Sequence, residues 1–153
     1  MIVISIPVKP HVKKYLIKRY GNVHQVSKKT FIGLFLLQLL EKKIDKPEKE
    51  VDKNHFYDIE VPEYYFNTKG YSIDKHKLKF LGICLEKLFI EDFYSFIDNE
   101  LVKGDMNAKK SIKLFFSIYD LSENDLNLDS MYRNYQRYSG ENIKHKKQNI
   151  VKV

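Results

Sequence analysis

Residues 72–103, SIDKHKLKFLGICLEKLFIEDFYSFIDNELVK, decide the fold class. Leu78, Leu81, Leu85 and Leu88, followed by Phe89, Phe93 and Phe96, recur at three-and-four spacing, the period of a helix with one apolar face. The run exceeds an ordinary helix, so a break near Asp92 is expected, and Lys103-Gly104-Asp105 ends it. A helix of this length within 153 residues makes the chain mainly α, shading into α+β only if a small two- or three-stranded sheet forms elsewhere.

Toward the N-terminus, the β-branched run Ile2-Val3-Ile4-Ser5-Ile6 predicts a short strand closed by Pro7. Pro10 suits the first turn of a helix reaching Tyr20, where Gly21 stops it. Ser27 is the expected cap of a second helix running to about Lys43. Its apolar residues, Phe31, Ile32, Leu34 to Leu37, Leu39 and Leu40, surround the axis, which predicts a central core helix ahead of an oligomer seam. Residues 44–54 carry charge and proline without an apolar period and read as a loop. Around Pro62, residues 55–67 are rich in β-formers and predict one or two short strands, with Thr68-Lys69-Gly70 as a turn. Pairing with residues 2–6 would give both segments a sheet, since neither strand is stable alone.

Composition narrows the functional classes. Eleven Tyr and ten Phe with only six Gly and four Pro describe a packed globular chain. The single Cys84 excludes an intramolecular disulfide, fits a reducing compartment and reads as a small buried apolar residue in the run 81–85. No apolar run approaches the about 20 residues of a membrane span, and a soluble, cytoplasmic protein is expected. The net charge of +7 is unevenly spread: residues 1–47 hold ten Lys/Arg against two Asp/Glu, residues 48–106 eight against thirteen, and residues 107–153 nine against five. Basic ends around an acidic middle create local fields that attract a polyanion.

The C-terminal third carries the chemistry. A helix from about Asn107 to Asp120 turns Ile112, Phe115, Phe116 and Tyr119 inward and sets Lys109, Lys110 and Lys113 at its N-terminal end, against the helix dipole. Ser122 with Asp125 three residues on resembles a capping box and predicts a helix of barely more than a turn. Asn127 or Asp129 then caps a third helix with an inward stripe of Leu128, Met131, Tyr135 and Tyr138. Its other side presents Arg133, Asn134, Gln136 and Arg137. Arg pairs with guanine O6 and N7, and Asn or Gln with adenine N6 and N7. The segment after Tyr138 lacks a period and reads as a basic flexible tail with Lys144, Lys146 and Lys147. The expected organisation is a helical core over residues 1–106, a unit over 107–138 and a tail over 139–153.

Residues 108–138 resemble the helix-turn-helix modules of small DNA-binding proteins, particularly those of phages and mobile elements. The resemblance covers about a fifth of the chain and rests on helix lengths, an aromatic first helix and a polar-basic closing helix. It implies that Arg133, Asn134, Gln136 and Arg137 read bases. Lys109, Lys110, Lys113, Lys144, Lys146 and Lys147 then hold phosphate of double-stranded DNA. A homodimer is the assembly that matches two half-sites. In this chain the turn holds Asp120-Leu121-Ser122 where such modules commonly carry a small residue, and Asp125 and Asp129 flank the start of the reading helix.

Other chemistries lack their residues. The five His show no ligand spacing with Cys84 or carboxylates, and no phosphate-binding glycine loop or nucleophile elbow occurs, so no metal, cofactor, small-molecule substrate or catalytic activity is expected. The run Tyr64-Tyr65-Phe66 reads as sheet packing rather than as a base-stacking platform. The rival reading is an interaction protein of the same phage or mobile-element type, whose basic ends dock an acidic partner.

Overall fold

A computed structural model describes residues 1–42, 55–70 and 72–151, the last ten as backbone. The loop expected over residues 44–54 lies outside the described residues. The chain is mainly α with some β, as its sequence predicts, and it divides into two compact units, Met1–Phe89 and Ile90–Val153. The division falls inside the long helix rather than between residues 106 and 107, because the aromatic residues of that helix beyond Phe89 pack with the C-terminal helices.

In the first unit β1 (Ile2–Pro7) pairs antiparallel with β3 (Phe56–Val61), Ile4 opposite Ile59 and Ile6 opposite Tyr57. The expected pairing of the N-terminus with residues 55–67 therefore forms. A third strand, β2 (Val23–Gln25), is too short to announce itself by alternation and pairs in parallel with the other edge of β3, giving the order β1-β3-β2. Alternation places Ile4, Ile6, Tyr57, Ile59 and Val61 in the core. Helix α1 (Pro10–Tyr20) begins on proline and ends at Gly21, whose φ of 92° suits only glycine and whose N–H donates to the Ile17 carbonyl.

Helix α2 (Phe31–Leu39) is shorter and less buried than its sequence suggests. Thr30, not Ser27, is the cap, its hydroxyl accepting from the Gly33 N–H at 3.1 Å. Ser27 instead shapes the preceding turn, accepting from the Lys29 N–H. Ile32, Gly33, Leu36 and Leu37 are buried, while Phe31 and Leu34 face outward, so the helix is apolar all round without being central core. Pro62 splits residues 55–67. The strand stops at Val61, since proline has no N–H for the ladder, and α3 (Glu63–Lys69) follows in place of a second strand. Tyr64-Tyr65-Phe66 thus ride on a helix, Tyr64 exposed, rather than in the sheet.

Helix α4 (Lys75–Lys103) runs without the expected break near Asp92. Within the first unit its residues Leu81, Leu85 and Phe89 are buried, Phe89 edge-on to Tyr15 with centroids 5.4 Å apart. Gly82 is there because a Cβ would collide with the Pro7 carbonyl at the end of β1. Cys84 is half-buried and Ile83 exposed, a correction to the buried reading of the run 81–85, which follows from the about 100° turn per residue.

The second unit holds the end of α4, α5 (Ala108–Ile118) and α6 (Leu128–Val151). Phe93, Ile97, Ile112, Phe115, Phe116, Met131 and Tyr135 form its core. Phe115 stands edge-on to Phe93 at 5.1 Å and to Phe96 at 5.4 Å. No helix among the described residues is long and apolar enough to cross a membrane.

Candidate nucleic-acid interface

Two asparagine caps start α5 and α6. Asn107 Oδ1 accepts from the Lys110 N–H at 2.9 Å, and Asn127 Oδ1 from the Ser130 N–H at 2.9 Å. Between them lies a turn rather than the expected short second helix. The Ser122 N–H donates to Asp125 Oδ2 at 2.9 Å, which is half of a capping box, but the chain makes a single turn before α6 begins. Asp120 takes the left-handed position usually given to glycine, with φ 54°. The Leu121 N–H then reaches the Phe116 carbonyl at 2.8 Å and the Asp120 N–H the Ser117 carbonyl at 3.3 Å, the Schellman pair that closes α5. The turn does without a small residue because Asp is among the few side chains that tolerate this backbone.

Helix α6 does not end at Tyr138. It continues to Val151, so residues 139–151, expected as a flexible tail, are helical. Glu141, Gln148 and the lysines are good helix formers, and no proline interrupts them. The side chains of Lys144, Lys146 and Lys147 lie outside the described residues.

The inward face of α6 is as its spacing predicts, with Met131 and Tyr135 buried and Leu128 and Tyr138 half-buried. Two hydrogen bonds fix it: the Tyr135 hydroxyl donates to Asp98 Oδ1 at 2.7 Å and the Tyr138 hydroxyl to Asp98 Oδ2 at 3.2 Å. Burial first, then the bond to the Asp98 carboxylate, raises the Tyr135 pKa well above the ordinary phenol. Tyr138 stacks on Tyr94 with centroids 4.2 Å apart. Sequence reasoning missed Asp98. The available signal was two tyrosines, i and i+3, on a buried stripe, whose hydroxyls need acceptors.

On the outer face Arg133, Gln136 and Arg137 are exposed, and neither guanidinium has a partner among the described residues. Arg133 and Arg137 stand one turn apart. Asn134 departs from expectation: it is half-buried, and on a helix it lies about 160° from Gln136, so one surface does not receive both amides. Asp129, also exposed, sits one turn before Arg133 on the same face.

Lys109, Lys110 and Lys113 are exposed on α5. Lys109 Nζ lies 5.0 Å from the centre of the Tyr132 ring, a cation–π contact that ties the start of α5 to α6. That contact sets Lys109 on the flank of α6 where Gln136 follows Tyr132 by one turn. Arg133, Gln136 and Arg137 therefore share one side of α6 and Lys109 lies at its Tyr132 flank, with Lys113 one turn further along the lysine face of α5. Among the described residues no three His, Cys, Asp or Glu side chains gather as metal ligands would. Comparison with known protein families, with curated proteins and with solved structures finds no match.

Proposed function

We propose that the protein is a small DNA-binding regulatory or accessory protein that lays the outer face of α6 against double-stranded DNA. The observation that carries this reading is the pair Arg133 and Arg137: exposed, one turn apart, unpaired among the described residues, on a helix whose opposite face is packed and hydrogen-bonded. The planar guanidinium fork loses less freedom per hydrogen bond than a lysine ammonium on binding a guanine edge or a phosphate. Gln136 supplies an amide beside them and Lys109, Lys110 and Lys113 supply phosphate contacts. Asn134 has a minor part at most, being half-buried. Asp129 opposes the reading surface, since its carboxylate meets phosphate on the same face.

A mobility-shift titration with double-stranded DNA at low salt tests this. One good bidentate contact carries about 1–3 kcal/mol, so Arg133→Ala with Arg137→Ala weakens binding roughly tenfold or more. Asp129→Asn tightens it. No shift by the wild type, or equal affinity in the double arginine variant, overturns the reading.

A further inference from the structure

The first unit exposes an apolar surface that its own described residues leave open. On α2, Phe31 is 67% and Leu34 47% exposed, and on α4, Phe80 is 54% and Ile83 48% exposed. The half-buried Phe35 joins the two helices: its ring stacks on Phe31 at 6.0 Å and lies 6.5 Å from Phe80. Leu34 and Ile83 each follow their phenylalanine by three residues, so both helices turn an aromatic–aliphatic pair to the same open side. Single exposed apolar residues are ordinary, but a contiguous set of this kind marks an interaction surface.

Charge identifies the occupant. Lys28 and Lys29 precede Phe31, Lys79 adjoins Phe80, and Lys87 lies one turn beyond Ile83; all four are exposed and unpaired among the described residues. Two nearby carboxylates are already engaged, Glu41 with Lys77 and Glu86 with Lys9. A second copy of the chain would bring these lysines against one another. Bases stacking on the rings would use the aromatics but leave Leu34 and Ile83 uncovered. We infer that Phe31, Leu34, Phe35, Phe80 and Ile83, rimmed by Lys28, Lys29, Lys79 and Lys87, dock an acidic amphipathic helix of a partner protein. Apolar anchors at i, i+3, i+4 and i+7 would cover the patch and glutamates would meet the rim. The surface lies within the first unit, and Arg133→Ala with Arg137→Ala, in the second, is expected to leave peptide binding unchanged.

The test uses the full chain and a fluorescent synthetic peptide of about four helical turns, with Leu and Phe at those anchor positions and Glu elsewhere. Saturable binding is expected, weakened roughly tenfold or more by Phe31→Asp with Phe80→Asp. Reversing the rim with Lys28→Glu and Lys87→Glu weakens it as well and creates affinity for the matching peptide with Lys in place of Glu. All four substituted positions are exposed, and circular dichroism checks that the helices persist. Absence of saturable binding to the wild type, or binding indifferent to both pairs, overturns the inference. Three other results also overturn it, if Phe31→Asp with Phe80→Asp abolishes them while peptide binding is unaffected. These are dimerisation in sedimentation, cosedimentation with vesicles of equal phosphatidylserine and phosphatidylcholine, and binding of single-stranded oligothymidylate.

Discussion

At position 24 a histidine with 6% of its surface exposed sits edge-on to the Tyr20 ring, 5.0 Å away, with Nε2 at 3.2 Å from the Thr30 hydroxyl. Burial disfavours its charged form and lowers its pKa below the ordinary value of about 6.5. The unfolded chain therefore binds a proton at a pH where the folded chain still refuses it. The stability held by neutral His24 is complete above about pH 6.5 and declines as pH falls toward the lowered folded value. The hydroxyl that faces it is also the cap of α2. His24→Gln, which cannot titrate, is expected to flatten this part of the profile. Urea midpoints between pH 7.5 and 5 measure it, and an equally steep decline in His24→Gln would refute the assignment.

Among the elements, α6 depends on one carboxylate. Asp98 accepts from both Tyr135 and Tyr138, and Tyr135 is 5% exposed, so removing the acceptor strands a buried hydroxyl. Asp98→Ala is expected to cost about 2 kcal/mol, Tyr135→Phe about 1–2 kcal/mol and Tyr138→Phe less, its bond being longer and its ring half-buried. Denaturant unfolding of the three variants gives the order. The same elements mark how far the sequence could be read. Strands β1 and β3, the bounds of α1 and the stripe of α4 were legible because alternation, a proline start and three-and-four spacing are local signals. The inward stripe of α6 and its exposed arginines were legible for the same reason. The exposed side of α2 was not, because a helix apolar all round gives no period to tell which face a neighbour covers. Strand β2 is three residues long, too short for a pattern. The helical course of residues 139–151 and the Asp98 pair depend on helix propensity without amphipathicity and on contacts across 37 and 40 residues. Neither produces a periodic trace.

Taken over the whole chain, the net charge of +7 does not accompany the candidate interface. Residues 1–89 hold 17 Lys/Arg against ten Asp/Glu, and residues 90–153 hold ten of each. On the proposed reading, attraction of DNA to α6 comes from arrangement. Within the second unit Asp98 is engaged by two tyrosines and Glu100 by Lys103, while Arg133, Arg137, Lys110 and Lys113 stand exposed. Each phosphate neutralised contributes about −0.9 to the slope of log affinity against log salt. If Arg133, Arg137, Lys109, Lys110 and Lys113 all contact phosphate, the slope is about −4.5. Lys110→Gln with Lys113→Gln, which leaves the Lys109–Tyr132 contact intact, is expected to make it shallower by about 2 and to weaken binding alike on every DNA sequence. Substituting Lys13, Lys14 and Lys18 of α1 by Gln removes three charges from the more basic unit and leaves the slope unchanged if α6 and α5 are the contact surface. A slope that answers to the α1 lysines and not to Lys110 and Lys113 would place the DNA on the first unit, and the role given to Arg133 and Arg137 would fall with it.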